Sequence, residues 1–108
     1  MFPDDIALLA RQVVVAAAAK NLMIATAESC TGGLVAGALT AVAGSSAVVE
    51  RGFVTYSNAA KTSMLGVPAD LIADHGAVSE AVASAMVLGA IEHSDATVSV
   101  SVTGIAGP

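Results

Sequence analysis

Leu22-Met23-Ile24-Ala25-Thr26-Ala27-Glu28-Ser29-Cys30-Thr31-Gly32-Gly33 carries a short apolar run into a cluster of polar and small residues, with an alanine-rich helical pattern after it. This order predicts a strand turning into a helix. The junction sets a carboxylate, a hydroxyl and a thiol side by side, and it aims free backbone N–H groups at whatever approaches. Two later clusters also follow apolar runs: Thr55-Tyr56-Ser57-Asn58-Ala59-Ala60-Lys61 and Thr103-Gly104-Ile105-Ala106-Gly107-Pro108. If the three strands are parallel, all three polar ends meet along one edge of a sheet.

Working outward, Pro3 and Asp4-Asp5 suit the start of a helix running to about Lys20, with Ile6, Leu8, Leu9, Val13 and Val14 as a broad apolar face. The first strand is expected from about Leu22 to Ala27, and the second helix from about Thr31 to Val42, stopped by Gly44-Ser45-Ser46. Val48 to Tyr56 reads as a strand and Asn58 to Leu65 as a helix ended by Gly66 and Pro68. Pro68-Ala69-Asp70 can start another turn, and His75-Gly76-Ala77-Val78 reads as a loop. Ser79 caps a helix reaching about His93. Ala96 to Val102, with Val98, Val100 and Val102 alternating with polar residues, reads as the last strand. The order α-β-α-β-α-α-β indicates an α/β layer fold with crossover helices. Residues 1–108 form one domain. Three strands make a small sheet and the chain stops at Gly107-Pro108 in a post-strand loop, so the domain is expected to be incomplete at its C-terminal end.

Apolar residues make up 56% of the 108 positions, many of them alanine, while only 12% are charged. So little charge predicts a face covered by a partner subunit or by further chain. The net charge of −5 comes from nine acids against four bases, Arg11, Lys20, Arg51 and Lys61. Without a basic stripe or aromatic platform, nucleic-acid binding is excluded as a main role. One cysteine, Cys30, rules out an internal disulfide and fits a reducing cytoplasm. The acidic start is not a signal peptide. The uncharged stretch between Glu28 and Glu50 is broken by Thr31-Gly32-Gly33, Thr40 and Gly44-Ser45-Ser46, short of the roughly 20 apolar residues that span a bilayer.

Hydrolysing an amide without a metal takes a nucleophile, a base and donors for the oxyanion. Ser29 is the candidate nucleophile, with the N–H groups of Cys30, Thr31, Gly32 and Gly33 as candidate donors; the plainer reading makes Ser29 or Thr31 a helix cap. Lys61 is the candidate base. Its place in the first turn of a helix, together with burial, lowers an amine pKa toward the general-base range; otherwise it is a solvated lysine. Tyr56 is a candidate proton relay or an ordinary strand-end aromatic. Cys30 is a weaker nucleophile candidate with no imidazole at hand, and His75 and His93 lack metal-ligand spacing. Glu28 orients a substrate group or Lys61, or is solvated. Helix N-termini offer places for a phosphate, but Gly32-Gly33 and Gly104 match no nucleotide fingerprint.

Taken in order, Ala27-Glu28-Ser29-Cys30-Thr31-Gly32-Gly33, Gly44-Ser45-Ser46, Arg51-Gly52-Phe53-Val54-Thr55-Tyr56-Ser57-Asn58 with Lys61, Leu65-Gly66-Val67, His75-Gly76-Ala77-Val78-Ser79 and Thr103-Gly104-Ile105-Ala106-Gly107-Pro108 closely resemble the CinA carboxy-terminal domain family. The resemblance covers nearly the whole chain. It implies a three-layer α/β/α sandwich around a mixed sheet and the stand-alone nicotinamide mononucleotide deamidase type. The implied reaction gives nicotinic acid mononucleotide and ammonia, with neither metal nor cofactor. It maps the nucleophile onto Ser29, the base onto Lys61 and an assisting tyrosine onto Tyr56. Glu28, Cys30, Thr31, Gly32, Gly33, Thr103 and Gly104 become the substrate-binding set. The implied partner is a small nucleotide; the alanine-rich surface and low charge favour a homodimer, and neither a membrane nor a nucleic-acid partner is expected. The alternative is a CinA-like domain that binds a nucleotide or assembles without catalysing. The long separation of Ser29 from Lys61 excludes a Ser-x-x-Lys helix turn, so the two must come from separate strand ends.

Overall fold

The computed structural model describes residues 1–106. Gly107 and Pro108, which close the last motif, lie outside them. The elements run α1 Asp4–Ala19, β1 Ile24–Glu28, α2 Leu34–Thr40, a 3-10 turn Ser45–Ala47, β2 Val49–Val54, α3 Asn58–Leu65, α4 Ala69–His75, α5 Glu80–Glu92 and β3 Val98–Val102. The strands pair in the order β2-β1-β3, both pairs parallel. Where the resemblance implies a mixed sheet, the described strands are therefore all parallel, because a helical crossover links each to the next.

Strand alternation sorts the core. Ala25 and Ala27 of β1, with Phe53 of β2, face α3, α4 and α5 and pack with Leu65, Val67, Ile72, Val82, Met86 and Ala90. Ile24 faces the other way and joins Ala10, Val14, Ala17, Leu39 and Val48 under α1 and α2. Two cores on opposite faces of one sheet make the three layers.

Three expectations need correcting. Helix α2 begins at Leu34 rather than Thr31, because Gly32 and Gly33 sit at φ 60° and 103°, outside right-handed helical space. The buried stripe of α1 is Ala10, Val14 and Ala17, whereas Ile6, Leu8, Leu9 and Val13 are at least 40% exposed. Small residues let α1 lie close to α2, and the larger ones are left outside. In β3 the serines face a helix: the Ser99 and Ser101 hydroxyls donate to the carbonyls of Val87 and Ala83 on α5. Val98 and Val100 border an apolar groove of about 440 Å³ with Val13, Leu22, Val35 and Leu39. Among the described residues no helix is long and apolar enough to cross a membrane.

Thr26 is fully buried at the centre of β1, and its hydroxyl has no hydrogen-bond partner. It lies against Gly52 of β2, where an added Cβ would come within 2.7 Å of it. A buried donor without an acceptor costs stability. Thr26→Val, nearly the same shape, is expected to stabilise the fold by about 1 kcal/mol. The check is the denaturant midpoint: a lower midpoint would mean that the hydroxyl finds a partner in solution.

Candidate active site

The three polar clusters converge at the C-terminal edge of the sheet, where parallel α/β folds hold their ligands. Backbone hydrogen bonds lace the strand ends together: the Ser29 N–H donates to Val102 O at 2.9 Å, and the Thr55 N–H to Glu28 O at 2.8 Å. Ser29 leaves β1 at this edge and is 7% exposed. From the other side comes Lys61, in the first turn of α3. That helix starts where expected because the Ser57 hydroxyl accepts from the Ala60 N–H as its cap.

Lys61 Nζ lies 3.0 Å from Ser29 Oγ, although 32 positions separate the two in sequence. The lysine is only 1% exposed. Its amine also donates to the carbonyls of Thr55 at 2.9 Å and Tyr56 at 3.4 Å, while the Ser29 hydroxyl donates to Tyr56 O at 3.5 Å. Removal from water holds the Lys61 pKa below its ordinary value, outweighing the Coulombic pull of the nearby Cys30 sulfur in the other direction. The solvated reading of Lys61 is thereby overturned.

These contacts serve both protonation states. An ammonium has three N–H bonds for Ser29 Oγ and the two carbonyls. A neutral amine keeps the carbonyls for its two N–H bonds and turns its lone pair to the Ser29 O–H. A proton can therefore pass from the hydroxyl to the amine with little rearrangement.

Glu28 is where expectation and structure part. It neither meets solvent nor orients Lys61, since adjacent strand residues point to opposite faces: Ser29 toward α3 and Glu28 toward α2. Glu28 is 1% exposed. Its Oε1 accepts from the Thr31 hydroxyl at 2.6 Å and from the N–H groups of Gly33 at 3.2 Å and Val35 at 2.9 Å. Oε2 accepts from the Ala36 N–H at 3.0 Å. Burial raises the carboxyl pKa, but the hydrogen bonds from Thr31, Ala36, Val35 and Gly33 outweigh it and leave the group below the usual carboxylate range. Glu28, not Ser29 or Thr31, caps α2. So enclosed, Glu28 has its carboxylate committed to the N–H groups of Gly33, Val35 and Ala36 at the start of α2.

The remaining donors narrow accordingly. The Gly33 N–H serves Glu28 and the Gly32 N–H donates to Ser29 O at 3.0 Å. Among the described residues, the N–H groups of Cys30 and Thr31 have no acceptor. Cys30 is half-buried, and an added Cβ at Gly104 would lie 3.3 Å from its sulfur, so the third cluster does reach the site. The Thr103 hydroxyl instead donates to Ala77 O at 2.8 Å, tying the loop before α5 to the end of β3. Tyr56 meets the pair through its carbonyl, and its side chain is 74% exposed. His75 is exposed, and His93 contacts Gly89 O on its own helix. The Tyr56 and Thr55 carbonyls escaped the sequence reading because backbone groups leave no residue signature. An acid one position before a turn into a helix could have revealed the cap.

A model of the CinA C-terminal domain matches residues 6–108. The nicotinamide-nucleotide amidohydrolase PncC of Escherichia coli is 51% identical over 108 residues, covering 100% of this chain and 66% of that protein. A CinA-like protein of Citrifermentans bemidjiense is 57% identical over 105 residues, or 97% of this chain, which thus spans only 24% of that relative. Among solved structures, a competence/damage inducible protein from Agrobacterium tumefaciens superposes with a TM-score of 0.97 at 56% identity, covering 100% of this chain and 66% of that one.

Proposed function

The chain belongs to the CinA C-terminal domain family, and from that premise we propose that it carries a serine–lysine amidohydrolase site acting on nicotinamide mononucleotide, in pyridine nucleotide recycling. The observation that carries the reading is the 3.0 Å contact between a buried lysine amine and the Ser29 hydroxyl. The name of the Escherichia coli relative supports the substrate class. The setting we propose is the cytoplasm, with the exposed apolar side chains of α1 favouring assembly as a homodimer.

Neutral Lys61 takes the Ser29 proton as Oγ attacks the carboxamide carbon. The Cys30 and Thr31 N–H groups are the donors available to the oxyanion. When the tetrahedral intermediate collapses, the Lys61 ammonium returns its proton to the leaving nitrogen, and ammonia departs from an acyl-enzyme on Ser29. Water activated by the same amine then releases nicotinic acid mononucleotide. The exposed Tyr56 phenol and the Gly104 backbone are candidates for substrate contact.

The reading fixes the direction of the pH dependence. Only the neutral amine is a base, so kcat/KM rises with pH through the Lys61 pKa, which burial sets below 10.5. Between the folded pKa and 10.5 the unfolded chain holds the proton that the folded chain has lost, so stability also rises with pH there. The test is ammonia release from nicotinamide mononucleotide across pH. An acid limb at the position of an exposed lysine would sink the assignment of the base, and saturable binding without product would favour a non-catalytic domain.

A further inference from the structure

Ser29 is held from two directions, and the two are built differently. On its N-terminal side the parallel sheet fixes it through the Thr55 N–H on Glu28 O and its own N–H on Val102 O. On its C-terminal side the chain leaves the sheet through Cys30-Thr31-Gly32-Gly33, with Gly32 and Gly33 at positive φ. Within that turn one backbone bond returns to the serine, from the Gly32 N–H to Ser29 O. The Leu34 N–H closes the turn onto Thr31 O at 3.0 Å, and four further fastenings end on the Glu28 carboxylate: the Thr31 hydroxyl and Gly33 N–H from the turn, and the Val35 and Ala36 N–H groups from α2.

We propose that Glu28 is a positioning residue for Ser29, its buried carboxylate clamping the Thr31–Gly33 turn and the start of α2 so that the serine hydroxyl stays within reach of the Lys61 amine. This role rests on the serine–lysine reading, but it concerns a side chain on the other face of the sheet that touches neither reacting atom. A carboxylate is required because all four partners are donors and only an anion accepts at both oxygens without offering a hydrogen. Glutamine fills the same volume, yet its NH₂ opposes an N–H group and breaks the clamp on one side. Errors in nucleophile placement of about 1 Å cost on the order of 100-fold in rate.

The test compares Glu28→Gln with the unaltered protein in two assays, both in the full polypeptide. Steady-state deamidation gives kcat and KM, with active sites counted by the stoichiometry of Ser29 labelling by a fluorophosphonate. The rate of that labelling is the second readout and needs no nucleotide. Per labelled site, kcat is expected to fall about 10- to 100-fold with KM within twofold, and the labelling rate to fall in parallel. Thr31→Val, which removes the 2.6 Å bond, is expected to give a smaller loss of the same kind and carries the test if Glu28→Gln does not fold. A reduced count of labelled sites with unchanged kcat and labelling rate per site would make Glu28 a structural residue only, overturning the proposal. If the unaltered protein is labelled at Ser29 but does not deamidate nicotinamide mononucleotide, the substrate reading fails, and the labelling rates still decide the role of Glu28. If Ser29 is not labelled at all, both readings fall.

Discussion

Lys61→Met is expected to lower deamidation by about 10⁴-fold or more, to the floor of an ammonia assay, and Ser29→Ala to do the same. The size of the effect follows from how the two groups act. On the proposed mechanism each supplies one half of a single proton transfer, so removing either removes the step, and the double variant should be no worse than the single ones. Methionine is the informative replacement because its unbranched apolar chain is close to the buried lysine's own in length and shape. The buried amine is destabilised by loss of hydration, so the apolar chain relieves that cost while leaving the Thr55 and Tyr56 carbonyls without their donor. Circular dichroism should therefore report a folded protein. Turnover surviving in Ser29→Ala but lost in Cys30→Ala would move the nucleophile to the thiol.

Gly89→Ala is expected to destabilise the fold by about 3 kcal/mol or more, against the usual trend. In an exposed helix interior the same exchange gains about 1 kcal/mol. Here α5 crosses the C-terminal end of α3 at Gly89, and an added Cβ would stand 2.9 Å from the carbonyl carbon of Leu65 and 3.0 Å from its Cβ, with the Leu65 oxygen closer still. Backbone cannot swing aside as a side chain can, so the two helices must separate. Because α3 also carries Lys61, the surviving folded molecules should lose activity as well. Urea unfolding is the check: a midpoint at or above that of the unaltered protein would contradict the close approach.

Much of this architecture is legible in the sequence, and for stated reasons. Helix α3 falls where Ser57 and Gly66 bracket it, and α5 where Ser79 caps it by accepting from the Val82 N–H. Ser29 and Lys61 stand out because each follows a strand in a crossover unit, so topology alone brings them to one edge. The side of each element that packs was harder to see. The larger apolar residues of α1 stay outside because close packing against α2 selects alanine and valine. The serines of β3 turn toward α5 because their hydroxyls find its carbonyls. The role of Glu28 was hidden because its partners lie in a turn whose shape depends on two glycine conformations.

Strand β1 delivers a carboxylate to one face and a hydroxyl to the other through nothing more than the order of two neighbours. A two-residue slip of β1 would keep each side chain on its face but carry the serine about 7 Å along the strand, away from the amine, whereas a single-residue slip would exchange the occupants. After such a slip the acid would meet the amine as an ion pair, holding it protonated and useless as a base, and the alcohol would be stranded beneath α2.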